Sequence, residues 1–220
     1  MSTSSNSNSS HEHLISDLAD DLAPVRRLSP PGVRALTWLA VVISTGIVLA
    51  AFADLSALVH RLGGARDMWL SVTGSTFTAI LAAIAAFQLS LPDARRTWAL
   101  LPLPAALLWV IASGVGCLRN WLVPDTHAAD LPEARDCLIL IVGLAVPLSA
   151  LLIVMLRRAC SLQPELTALT AGLASAAAAA TLLNFFHPFD AAATDLAVHT
   201  VAVAIVITAN WGLSGRLLAQ

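Results

Sequence analysis

Six apolar stretches, each long enough to cross a bilayer and each set off by a short charged loop, fix what this chain of 220 residues can fold into. A membrane-spanning helix needs about 20 consecutive, mostly apolar residues. Windows of that kind lie at 35–53, 69–91, 97–116, 137–156, 166–186 and 196–214. They are continuous and rich in Leu and Ala, without the alternation of a barrel strand, so they read as helices. A soluble bundle would need a polar face on each helix, yet the stretch Cys137 to Leu156 carries no charged side chain. With 57% hydrophobic and 12% charged residues, there is too little polar surface to clothe six helices in water. The first run follows 34 largely polar residues and lacks a small-residue cleavage site, so it reads as a retained anchor rather than a signal peptide. The expectation is an all-α polytopic membrane protein: a bundle of six transmembrane helices over 35–220, with a short cytoplasmic N-terminal amphipathic helix ahead of it.

All 12 positive side chains are arginines. Eight of them, Arg26, Arg27, Arg34, Arg95, Arg96, Arg157, Arg158 and Arg216, fall on the side of the N-terminus, against four on the other side, Arg61, Arg66, Arg119 and Arg135. An excess of arginine marks the cytoplasmic side, which puts both termini in the cytoplasm. Trp38, Trp69, Trp98, Trp121 and Trp211 stand at or near span ends, where an indole favours the headgroup layer, while Trp109 lies within the third span and reads as packing. Gly74, Thr78, Ala82 and Ala86 recur at every fourth position, as do Ala168, Gly172, Ala176 and Ala180. Such stripes let helix backbones come into contact within lipid.

Outside the spans, the N-terminal tail is the largest free element. Residues 1–10 are mostly Ser and Asn, a composition that cannot bury a core and is expected to be disordered. In the segment 11–34 the pattern changes: Leu14, Ile15, Leu18, Leu22 and Val25 fall within an arc of about 100° on a helical wheel, with Asp17 and Asp20 well away from it. Ser9 and Glu12 have the spacing of a capping box, and Pro24, Pro30 and Pro31 limit the helix on its far side. A helix this short is marginal alone, so its apolar face needs a partner. That partner could be the membrane surface, the underside of the bundle, or a cytoplasmic protein that takes the helix in a groove and meets Asp17, Asp20 and Asp21 with basic residues. Arg26 and Arg27 fit either partner binding or a purely topological role.

The order of these features resembles the NrsF family of negative regulators of extracytoplasmic-function (ECF) sigma factors. The residues that carry the resemblance are the run Asp21-Leu22-Ala23-Pro24-Val25-Arg26-Arg27-Leu28-Ser29-Pro30-Pro31, then Ala86-Phe87 with Pro92, Gly116-Cys117, Leu156-Arg157-Arg158 and His199. The resemblance implies a bacterial inner-membrane anti-sigma factor. Its cytoplasmic N-terminal segment would hold an ECF sigma factor away from RNA polymerase and release it on an envelope, metal or oxidative signal. Residues expected to bind the partner are Leu14, Ile15, Asp17, Leu18, Asp20, Asp21, Leu22, Val25, Arg26 and Arg27. Direct contact with nucleic acid is not expected, because the net charge is -2 and no basic domain lies outside the membrane.

Cys117 ends the third span and Cys137 opens the fourth, both on the expected periplasmic side, whereas Cys160 lies in a cytoplasmic loop. Two readings stand side by side for the periplasmic pair: an oxidisable or metal-responsive couple, or two buried small apolar residues. The resemblance implies a paired cysteine sensor, with Cys137 matching one member. At the place of the other, between spans 5 and 6, this chain has Phe186-His187-Pro188. That departure weakens a disulfide mechanism. A thiolate with imidazoles could still take a transient metal ion, with His187, His127 or His199 as further ligands, though no ligand spacing is diagnostic. His199 also follows Asp195 by four residues on an apolar helix, so it pairs with that carboxylate or serves in sensing. The expected sensor set is Cys117, Cys137, His187 and His199, with no resident cofactor.

A small multi-pass transporter or channel is the alternative function. Against it, the spans hold almost no carboxylates and no broken inverted pair of helices. An enzyme is not expected, since no nucleophile with base and orienting partner, phosphate-binding glycine loop or metalloprotease helix is present.

Overall fold

The computed structural model describes residues 5–20, 28–52, 56, 66–122, 131–159, 161–183, 201 and 203–212. Every regular element among them is helical: α1 (Ser5–Asp20), α2 (Pro31–Ala50), α3 (Arg66–Leu89), a 3-10 turn (Arg96–Leu100), α4 (Leu103–Leu122), α5 (Leu131–Leu156), α6 (Pro164–Leu183) and the short α7 (Val203–Gly212). Five segments are long and apolar enough to cross a membrane: Pro31–Ala50, Trp69–Leu89, Arg96–Gly114, Ile139–Leu156 and Pro164–Leu183. α7 is apolar but shorter, and residues 196–200 of the sixth expected span lie outside the described residues.

Proline sets two of the helix starts. α2 begins at Pro31, ahead of the expected position 35, because a helix's first turn has no use for the N–H that proline lacks. Pro30 before it is held extended (φ -51°, ψ 144°), as the residue preceding a proline must be. α6 opens the same way at Pro164. α4 continues past the expected 116 to Leu122, and α5 starts at Leu131 rather than 137, so both helices outrun the apolar windows. α1 begins at Ser5, which places Ser9 in its second turn rather than at a cap and draws part of the Ser/Asn stretch into the helix. Serine and asparagine cost well under ~1 kcal/mol each in a helix, so a helix formed over 11–20 can extend back through them.

Paired contacts define how the helices run. Ser71 Oγ lies 3.1 Å from Ser113 Oγ, and Gly74 abuts Trp109, so α3 and α4 are antiparallel. Thr181 Oγ1 donates to Ser75 Oγ at 2.9 Å while Ser161, just before α6, bonds Leu89 at the end of α3, so α3 and α6 are antiparallel too. Arg34 meets Met155 and Trp38 meets Leu148, which sets α2 against α5. Gly172 touches Ile207 and Asn210, whereas Leu183 clusters with Val203 and Val206, so α7 returns along α6. α2, α4 and α6 therefore start at one end of the bundle, where α3, α5 and α7 finish. Residues 28–34, the last of the N-terminal segment 11–34 (the arm), lie at that end, hereafter the arm end.

α6 is the central helix: 78% of its apolar window is buried, against 22% for α2 and 17% for the segment containing α4. Its run Ala176–Ala180 is buried throughout, and Ala-sized side chains let α3 and α5 approach from two sides. Both small-residue stripes are buried as expected. A Cβ on Gly74 would sit 2.8 Å from Trp109 Cα, and one on Gly172 would sit 3.0 Å from Ile207 Cα, so glycine is what permits these crossings. Trp109 is half-buried against the core, in keeping with a packing role. Hydroxyls within the bundle are satisfied locally: Thr78, Thr170 and Ser175 each donate to the carbonyl four residues back. Asn210 joins helices, accepting from Ser149 Oγ at 2.7 Å and donating to the Val206 carbonyl; Asn184 lies outside the described residues.

Candidate functional site

The site has two parts, a free helix and the end of the bundle from which it departs. On α1 every residue from His11 to Asp20 is exposed, and the apolar Leu14, Ile15 and Leu18 remain 58%, 65% and 62% exposed. Their spacing of one and four positions puts them on one side of the helix, with Asp17 and Asp20 off it. The described part of the bundle does not cover this face. Asp21, Leu22, Val25, Arg26 and Arg27, the rest of the expected partner-binding set, lie outside the described residues.

At the arm end, α3 and α5 finish, and the last carbonyls of each have no partner within their own helix. Ser90, directly after α3, and groups from other segments supply one. Ser90 Oγ donates to the Phe87 carbonyl at 2.7 Å, and Ser161 Oγ reaches the Leu89 carbonyl at 3.1 Å from the loop after α5. Gln163 Nε2 donates to the Ala94 carbonyl at 3.0 Å, tying that loop to the one after α3. The Met155 carbonyl of α5 accepts from the Arg34 guanidinium, a favourable place for a cation at a helix C-terminus. The same guanidinium lies 3.4 Å from Ser90 Oγ and 4.9 Å from the Phe87 ring centroid, over its face.

Arg34 and Trp38 differ from what the sequence suggested. Arg34 belongs by sequence to the segment ahead of the first span, where it counts toward the arginine excess, but only 7% of it is exposed, because the first turn of α2 is turned inward against α3 and α5. Trp38 was expected in the headgroup layer, yet it is fully buried and its indole Nε1 donates to the Leu148 carbonyl at 3.1 Å. The two residues are one helical turn apart on the same face of α2. Their signal was present in the chain: an arginine after a proline-started helix lies inside the span, where an ionisable residue calls for a partner. Trp69 and Trp211, by contrast, are about half exposed near helix ends, as expected of interfacial indoles. The remaining arm-end arginines Arg95, Arg96, Arg157 and Arg158 are exposed.

Of the expected sensor residues, Cys117 lies in the last third of α4 and Cys137 in the second turn of α5, at the end away from the arm. His187, His199, His127 and Cys160 lie outside the described residues. Among the described residues no cluster of three or more His, Cys, Asp or Glu could hold a metal ion.

Taken together, the fold and the site define a bundle of membrane-length apolar helices with a free N-terminal helix. The chain matches the NrsF family, described as negative regulator of sigma F, over residues 18–219, and it belongs to that family. It is therefore placed among the negative regulators of a sigma factor. Neither a curated protein nor a solved structure matches the chain.

Proposed function

We propose that the protein is an inner-membrane anti-sigma factor with six transmembrane spans and both termini in the cytoplasm. It holds an ECF sigma factor through residues 11–34 and releases it on an envelope, metal or oxidative signal. The observation that carries this reading is the uncovered α1. An exposed trio of large apolar side chains beside carboxylates has the form of a helix that another protein receives in a groove, and a basic, DNA-binding sigma factor complements its charge. In the sequence the same apolar spacing continues with Leu22 and Val25. Support for a sixth span comes from α7, which returns along α6 toward the arm end; a sixth crossing there would leave both termini on one side. The arginine excess on that side supports its being cytoplasmic.

Full-length protein extracted in mild detergent carries a sigma factor of the ECF class, identified by the mass of the co-purifying chain. A preparation free of any sigma factor would sink the proposal. Signal reception is assigned to the opposite end, where Cys137 and His187 are the candidate residues, with Cys117 and His199 as further members. Cys137→Ser or His187→Ala alters target-gene induction by cadmium or peroxide, read against the wild type in a reporter strain. Wild-type induction in both variants removes the pair from sensing.

A further inference from the structure

We propose that Arg34 and Trp38 are positioning residues for partner retention: they bolt the arm-bearing helix α2 to the end of α5, and this bolt holds the arm where the sigma factor can bind it. The inference rests on the arm's being the binding element. α2 and α5 are joined by two side-chain-to-carbonyl bonds, Arg34 to Met155 and Trp38 Nε1 to Leu148 at 3.1 Å. Both acceptors are backbone atoms of α5, so the link reads the position of that helix rather than the identity of its side chains.

The link has two available states. Among the described residues the partners of the Arg34 guanidinium are the Met155 carbonyl, Ser90 Oγ and the Phe87 ring, and no carboxylate is among them. A buried cation held by neutral groups keeps little advantage over one that reaches water or a lipid phosphate. Arg34 is the fourth residue of α2, about 5 Å along the axis from the helix start, so its side chain can reach the headgroups once the bolt opens. The neighbouring Pro30 and Pro31 are stiff, so a change in the set of α2 is handed on to the chain before it. Drawn toward the headgroups, the exposed Leu28 just before Pro30 becomes less accessible to a partner.

α5 is the helix through which the far end can act on this bolt. It runs unbroken from Leu131 to Leu156 with Pro147 inside, directly before the carbonyl that Trp38 grips. Pro147 has no N–H for the helical ladder, so the two halves of α5 can change their relative tilt there at low cost. Cys137 lies in the first half and Met155 in the second, about 27 Å apart along the axis.

The test uses the full-length protein in nanodiscs, titrated with the sigma factor that co-purifies with it. Trp38→Phe removes the indole N–H along with part of the ring's volume, and Arg34→Gln removes the charge and the fork. Each weakens binding about tenfold with the number of binding sites per regulator unchanged, and the double variant is little worse than the poorer single, because both bonds serve one link. Arg34→Lys falls between Arg34→Gln and the wild type, since an ammonium can reach the carbonyl but not span Ser90 and Phe87 together. Wild-type Kd in both single variants overturns the proposal. So does a loss of binding sites at wild-type Kd, the sign of a merely structural role. Failure of the wild-type protein to bind the sigma factor is a different result, which removes the arm assignment itself.

Discussion

Removing residues 11–31 abolishes sigma-factor retention while the protein still inserts into the membrane in wild-type amount. The size of the effect follows from the structure. The exposed Leu14, Ile15 and Leu18 are large apolar side chains with no cover from the described bundle, so among the described residues the deletion removes contacts available to a partner and no member of the buried core. Truncating anchors of this kind costs about 2 kcal/mol or more apiece at a protein interface, and losing three leaves no measurable affinity. The cut ends at the first residue of α2, sparing Arg34 and Trp38, whose bonds to Met155 and Leu148 keep that helix in place. A pull-down of the sigma factor with the truncated chain, alongside its membrane yield, decides the matter. Capture at the wild-type level would mean that the partner binds elsewhere, and a loss of membrane yield would mean that the segment serves folding.

The second large effect lies in the bundle. Gly74→Leu lowers the melting temperature in detergent sharply, or prevents accumulation, because the site has no space for even a Cβ. That atom would stand 2.8 Å from Trp109 Cα and 2.9 Å from Trp109 N, and backbone cannot swing aside as a flexible side chain would. Overpacking a well-fitted contact costs about 1–3 kcal/mol, and forcing two helices apart along their crossing puts this case at or above the upper end. Gly143→Ala is the matched control: the glycine lies in α5 with nothing within 4 Å of the added carbon, so stability is kept or rises by up to about 1 kcal/mol as the helix gains a better former. Thermal unfolding of the two variants side by side checks both claims. Equal melting temperatures would show that α3 and α4 do not cross as closely as described.

Much of this architecture was legible because lipid imposes a simple rule. A chain with no water around it must bond its backbone within each segment, so long apolar runs announce helices whatever their neighbours. The stripes through Gly74 and Gly172 were legible for a related reason, since close crossing in lipid demands small side chains at regular spacing. Helix ends were harder: α4 and α5 run beyond their apolar windows because hydropathy reports the edge of the hydrocarbon, not the edge of the hydrogen-bond ladder. At the arm end, Arg34 and Trp38 were misplaced because each residue type has an ordinary role near a span boundary. Which role applies depends on whether the helix turns that face to solvent or to a neighbour.

The sequence by itself determined the helical class, the apolar spans, the small-residue crossings and the amphipathic pattern of the arm, because all of these depend on side-chain chemistry read along one helix at a time. Tertiary structure alone decided which helix is central, that the ends of α3 and α5 are capped by groups from other segments, and that Arg34 and Trp38 face inward onto α5. Those features join atoms of residues as far as 121 positions apart. No local pattern encodes them, since a backbone carbonyl left over at a helix end looks the same in any sequence until the fold brings a donor to it.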